Sequence, residues 1–187
     1  MSRNYVIIGP QGSGKGTQAK ILSDKLGIAH VSTGEILREN VKNATEAGKK
    51  VEAIINRGDL VPDDLIAELL ADRLLADDAV RGFILDGYPR NSAQFEKLRS
   101  ILEEKGTELD AVIVLDVDEN ELLDRMELRA KKEGRKDDTP DAVKKRLAIY
   151  ANETHPIIAK FEEQGNVLRI QAVGEIDEIN EEIIRSL

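Results

Sequence analysis

The chain has 187 residues, enough for one domain with its own core, and a composition of 41% apolar and 34% charged residues sets it apart from disordered chains. Aromatics are only 3%, which leaves the core to Leu, Ile, Val and Ala, and the lack of any Cys excludes disulfides and thiolate zinc. A net charge of −9 disfavours nucleic acid and anionic membranes as partners, so an anionic small ligand would need a locally basic pocket.

Tyr5 to Ile8 is a short apolar run that stops at Gly9 and reads as a buried strand. A glycine-rich loop follows. Thr17 to Leu26 then carries Ala19, Ile21, Leu22 and Leu26, an amphipathic helix ended by Gly27. Ile28 to Val31 is a second strand. Helical patterns cover Glu35 to Val41 and Glu46 to Arg57, the latter closed by Gly58. Pro62 opens another helix, with Leu65, Ile66, Leu69, Leu70 and Leu74 at helical spacing. Gly82 to Leu85 is a third strand, ending at Asp86. Asn91 to Lys105 is a helix stopped by Gly106, and Ala111 to Leu115 a fully buried fourth strand. A helix from about Glu119 runs into the basic stretch RAKKEGRKDD. Thr139 and Pro140 suit the N-cap and first turn of the next helix, which Pro156 should kink or split. Val167 to Ile170 is a fifth strand, and Ile176 to Leu187 a closing helix.

Strands alternating with helices predict a parallel sheet covered on both faces. Residues 32–61 and 128–138 fit that alternation poorly and read as insertions on the sheet's ligand-binding edge. The longest apolar runs, such as AVIVL at 111–115, fall far short of the roughly 18 residues of a membrane span. The N-terminal MSRNYVIIG is too short in its apolar part for a secretory signal, so a cytoplasmic address is expected.

Residues 9–17 read GPQGSGKGT, with Gly9, Gly14 and Lys15 at Walker A spacing between a strand and a helix. Glycines let backbone N–H groups turn inward onto phosphate oxygens with no Cβ in the way. The following helix adds its positive end, and Lys15 a compact cation for β- and γ-phosphates. The bland alternative is a flexible turn with a surface lysine; spacing, lysine and context all stand against it. Gly16 follows Lys15, so the first hydroxyl comes one place later, at Thr17.

Asp86, at the carboxyl end of the third strand, could face the same crevice and hold a hydrated Mg2+, or it could simply cap a turn. Arg125 and Arg129 lie one helical turn apart. An anion between them is one reading. Ordinary salt bridges are the other, since Glu121 precedes Arg125 by four residues and Glu133 follows Arg129 by four. Arg135 and Arg146 extend the basic set. His30 and His155, the only histidines, suit core or surface roles rather than a metal centre.

Together these segments resemble the adenylate kinase family over essentially the whole chain. The resemblance is carried by GPQGSGKGT at 9–17, STGEILR at 32–38, GDLVPD at 58–63, FILDGYPRNSAQ at 83–94, the Arg125/Arg129 pair, RKDD at 135–138 and KKRL at 144–147. It implies a P-loop NTPase fold, a five-stranded parallel sheet with helices on both faces, and the reaction MgATP + AMP ⇌ 2 ADP without a covalent intermediate. It also implies an AMP-binding insert at 32–61, a short lid over ATP at 128–138, and a monomer.

By matched position, Gly12, Ser13, Gly14, Lys15, Gly16 and Thr17 would cradle the ATP phosphates, with Gly174 beside the nucleotide. Thr33, Arg38, Val61, Gly87, Arg90 and Gln94 would hold AMP, Arg38 and Arg90 gripping its phosphate and Gln94 the adenine edge. Arg125 would lie against ATP. Arg129, Arg135 and Arg146 would surround the transferring group, the last two also facing AMP. Asp86 and Glu35 would position the water shell of Mg2+.

Three features depart from the family pattern. Gln11 stands where many relatives have proline, Glu35 where aspartate is common, and the lid is too short for the metal-binding version, so no structural zinc is expected. Thr33 and Gln94 are of the adenylate type, where UMP and CMP enzymes usually carry alanine and asparagine. A nucleotide-dependent switch, the rival class, needs an NKxD-type base-recognition motif, which the sequence lacks.

Overall fold

A computed structural model describes residues 3–118, 121, 122, 125, 126 and 139–187. Five strands form one sheet: β1 (Arg3–Ile8), β2 (Ala29–Ser32), β3 (Gly82–Asp86), β4 (Ala111–Asp116) and β5 (Val167–Gln171). Their order is β2-β3-β1-β4-β5, and every pair is parallel. The chain runs from β3, on one side of β1, to β4 on the other. The carboxyl end of the central strand is therefore a topological switch point, where sheets of this kind bind ligands.

The helices are α1 (Lys15–Leu26), α2 (Thr33–Lys42), α3 (Glu46–Asn56), α4 (Asp63–Leu74), α5 (Ser92–Lys105), α6 (Pro140–Ile149), α7 (His155–Glu162) and α8 (Ile176–Ser186). Alternation along the strands divides the core in two. Tyr5 and Ile7 of β1, Ile84 of β3 and Ile113 of β4 face Leu22 of α1 and Ile179 and Ile183 of α8. Val6, Ile8, Phe83, Leu85, Val112 and Val114 face the other way, against Leu70 of α4, Leu98 of α5 and Phe161 of α7. Both faces are thus covered, as the unbroken apolar strands require. Truncating a fully buried ring such as Phe83 to Ala would cost about 3–5 kcal/mol. No helix among the described residues is long and apolar enough to cross a membrane.

Gly27 and Gly106 end α1 and α5 in the left-handed conformation, where the sequence placed their stops. Several boundaries differ from expectation by one or two residues, two of them for plain local reasons. α1 starts at Lys15 rather than Thr17, because Gly14 (φ 89°) already makes the entry turn. β2 starts one residue late, because the Ile28 amide closes α1 by donating to the Ser23 carbonyl. Thr139 caps α6 by accepting from the Ala142 amide, with Pro140 in the first turn. Pro156 does split the helix. It lacks the amide of an ordinary turn, and a π-helical stretch, Tyr150–Thr154, joins α6 to α7 before it.

The helical detour consists of α2 and α3, which fold into a hairpin. A Cβ at Gly48 would collide with the main chain at Asn40 and Val41, so the two backbones approach closely there. Thr45 fastens the bend, its hydroxyl donating to Asn40 Oδ1 at 2.7 Å and accepting from the Gly48 amide at 3.0 Å.

Candidate active site

The carboxyl ends of β1, β2 and β3 stand abreast, with Ser32 and Ile7 both in register with Asp86. A cavity of about 880 Å³ opens over them. The glycine-rich loop forms one wall. Gly12 and Gly14 both take positive φ, 88° and 89°. A Cβ on Gly12 would lie 3.0 Å from both the Leu122 carbonyl and Met126 Cγ, so this bend needs glycine on two counts. No side chain caps α1, and its first turn holds no acid. Its amino end therefore keeps unneutralised N–H groups and the positive end of the helix dipole at the cavity wall. Lys15 folds over the loop, its Nζ donating to the Pro10 carbonyl at 2.8 Å. Ser13, Gly16 and Thr17 line the same wall, and Gly174 lines the cavity from beyond β5.

Asp86 lies on the floor, and a Cβ on Gly16 would stand 3.4 Å from its Oδ2. The same oxygen accepts from Ser32 Oγ at 3.3 Å and lies 3.7 Å from His30 Nε2, an electrostatic contact too long for a hydrogen bond. Burial opposes the charge on this carboxylate. His30, Lys15 and Arg90 outweigh it and hold the carboxyl below its ordinary range, so Asp86 is an anion at neutral pH. Tyr88 and Tyr150 also line the cavity. Burial pushes both phenols up, that of Tyr150 to about 12, so neither serves as a base near neutrality.

The opposite wall is built from side chains. Thr33 donates to the Gly87 carbonyl at 2.9 Å, and Arg90 Nε donates to the same oxygen at 2.7 Å. A Cβ on Gly87 would meet Thr33 Oγ1 and an Arg90 guanidinium nitrogen, each at 2.8 Å, and φ there is 82°. Arg38 packs over Gly34, and with Val61 and Gln94 it completes this wall. Gln94 is only 3% exposed. Its Oε1 accepts from the Arg90 amide at 2.8 Å, and its Nε2 donates to Asp63 Oδ1 at 2.8 Å.

Arg125 and Arg146 border the cavity too. Arg125 forms the expected bridge to Glu121, Nε to Oε1 at 2.7 Å, so a salt bridge and a place at the cavity coexist. Arg146 reaches back to the Ile55 carbonyl at 3.4 Å. Glu35, exposed in the first turn of α2, lines the cavity as well. Arg129, Arg135 and the expected lid at 128–138 lie outside the described residues.

Sequence reasoning gave no part in the site to four residues that hold it together. Ser32 and His30 contact Asp86, Asp63 anchors Gln94, and Thr154 donates to the Arg90 carbonyl at 2.8 Å. The STG and GDLVPD motifs flagged the neighbourhoods of Ser32 and Asp63. Nothing in the sequence flagged Thr154, which reaches Arg90 across 64 positions from the π-helical stretch.

Comparison with known proteins shows the family. The family model for adenylate kinase matches residues 7–166. A protein of Stenotrophomonas maltophilia (strain R551-3) named adenylate kinase is 46% identical over 97% of each chain. One of Thermobifida fusca (strain YX) is 46% identical over 97% of this chain and 96% of its own. One of Xanthomonas oryzae pv. oryzae (strain MAFF 311018) is 47% identical, again over 97% of both. Full-length matches at this identity leave one conclusion: the chain belongs to the adenylate kinase family, enzymes of reversible phosphoryl transfer between adenine nucleotides.

Proposed function

We propose that the protein catalyses MgATP + AMP ⇌ 2 ADP in the cavity above β1, β2 and β3, and that it does so as a monomer in the cytoplasm. The observation that carries this reading is the meeting of two unlike walls on one cavity. One offers uncapped main-chain amides and Lys15; the other offers Arg38, Arg90 and a buried amide side chain.

In this reading the loop from Gly12 to Thr17 holds the ATP phosphates, and Gly174 and Arg125 flank that nucleotide. Arg38 and Arg90 grip the AMP phosphate, Thr33, Val61 and Gly87 bound its nucleoside, and Gln94 reads the adenine edge. Arg129, Arg135 and Arg146 surround the transferring group, with 128–138 as a lid and 32–61 as the AMP-binding insert. Arginine suits these places because its planar fork meets phosphate oxygens two at a time and keeps its charge.

Two anionic nucleotides repel each other, so the protein's task is to align them and neutralise the charge that builds between them. No side chain becomes covalently modified. Water is the competing acceptor, which is why the site should close before chemistry.

The residues fit Mg2+ as well. Asp86 is a buried, ionised oxygen donor at the cavity floor. Among the described residues no three His, Cys, Asp or Glu side chains gather into a metal cage. That suits an ion held through water by one or two carboxylates and by substrate phosphates. Asp86 and Glu35 would orient its water shell. The bound ion would offset charge on the β- and γ-phosphates.

A coupled assay across AMP, UMP, CMP and GMP, together with conversion of ADP alone into ATP and AMP, tests the proposal. The expected result is a strong preference for AMP and ready conversion of ADP. Slow ATP loss independent of any monophosphate would overturn it.

A further inference from the structure

Gln94 is held by a small polar circuit with a fixed direction. The Gln94 backbone amide donates to Asn91 Oδ1 at 2.8 Å, which turns Asn91 Nδ2 toward Asp63. That Nδ2 donates to Asp63 Oδ1 at 3.1 Å, and Gln94 Nε2 donates to the same oxygen at 2.8 Å. At the other end of the Gln94 side chain, Oε1 accepts from the Arg90 amide at 2.8 Å.

A carboxylate only accepts and a backbone amide only donates. Rotating the Gln94 side-chain amide by half a turn would set its oxygen against the Asp63 carboxylate and its NH2 against the Arg90 N–H. Both contacts would be repulsive, in a place where Gln94 is almost fully buried.

Each end of a primary amide has capacity for two hydrogen bonds. With one used at each end, Gln94 keeps one N–H and one lone pair for a ligand in the cavity it lines. Their sense is set by the circuit. An amide in one sense pairs with an acceptor beside a donor, the N1 and 6-amino edge of adenine. Turned over, it pairs with a donor beside an acceptor, the N1–H and 6-oxo edge of a lactam purine. An unrestrained glutamine could serve either.

We propose that Asp63 is a specificity-determining positioning residue: by pinning the Gln94 amide in one sense, it makes the acceptor site take a 6-amino purine and reject a 6-oxo purine. The inference rests on the assignment of this wall to the acceptor nucleotide. Asp63 acts through Gln94 and need not touch the base. The competing structural role is that of an acid in the first turn of α4, complementing the helix dipole. That role would affect stability without distinguishing one purine from another.

The test compares AMP with inosine monophosphate, which differs from AMP only in carrying a 6-oxo group and N1–H. Asp63→Asn keeps the shape but can offer either an acceptor or a donor, so it removes the Asp63 part of the penalty for turning Gln94 over and leaves the part from the Arg90 amide. The ratio of kcat/KM for AMP over inosine monophosphate should fall about tenfold, the scale by which a charge-assisted hydrogen bond exceeds a neutral one. Should that variant not fold by circular dichroism, Asp63→Ser carries the same test, because a hydroxyl also donates or accepts. Equal losses for both nucleotides, with the ratio unmoved and AMP still used by the wild type, would overturn this inference and leave the proposed function standing. A wild type that fails to phosphorylate AMP would overturn both.

Discussion

The two walls of the cavity are made differently. The glycine-loop wall is mostly main chain: two glycines at positive φ, an uncapped helix end, and one lysine resting on its own loop. The opposite wall is mostly side chain, and Gln94 and Arg90 there are each steadied by another residue. Asp63 holds Gln94, Gln94 holds the Arg90 amide, and Thr154 holds the Arg90 carbonyl. Main-chain donors look alike whatever the sequence around them, so the first wall suits a group common to all nucleotides. Side chains differ in shape and polarity, so the second suits the part of a substrate that distinguishes it from its relatives.

That division can be broken by experiment. Lys15 is the exception on the main-chain wall, and Lys15→Met should lower kcat by about 10³-fold, the low end of what a single cation contributes in phosphoryl transfer. Thermal unfolding should be nearly unchanged, since the bond from Lys15 to the Pro10 carbonyl stays within its own loop. A parallel collapse of the melting temperature would mean that the lysine serves the fold rather than the reaction.

On the other wall, Gln94→Asn should raise KM for AMP about tenfold, because a shortened amide leaves polar partners unmatched. KM for ATP should move less than about twofold, the scale of a remote change. Equal losses for both nucleotides would remove Gln94 from the acceptor side. The smallest effect is expected at Ser13. Its hydroxyl is buried with no hydrogen-bond partner, so Ser13→Ala deletes nothing that the loop's amides need. Activity should stay within about twofold of wild type, and stability should hold or rise. A large loss would show that a side chain shares the work assigned here to the backbone.

The same contrast decides what could be read from the sequence. The strands, the glycine stops and the phosphate loop are local. An apolar run, a Gly at a helix end or a spaced GPQGSGKG declares itself within a few residues, and the structure places these features within a residue or two of expectation. The steadying contacts are not local. Asp63 and Gln94 are 31 positions apart, and Thr154 and Arg90 are 64 apart. His30 was assigned a bland core or surface role because one histidine in a strand implies nothing by itself. Only the pairing of β2 with β3 brings it beside Asp86. Pro156 announced a disturbance of its helix, but not that the preceding turn would widen or that Thr154 would use that turn to reach Arg90.

The α2–α3 hairpin carries one more consequence. Where Gly48 lets two backbones touch and Thr45 ties the bend, no side chain separates the two helices at that point. That contact should resist sliding of one helix past the other, so that a displacement of α2 carries α3 with it. A cavity-forming change at Val51, fully buried in α3, should loosen that coupling and be felt across the hairpin at Arg38.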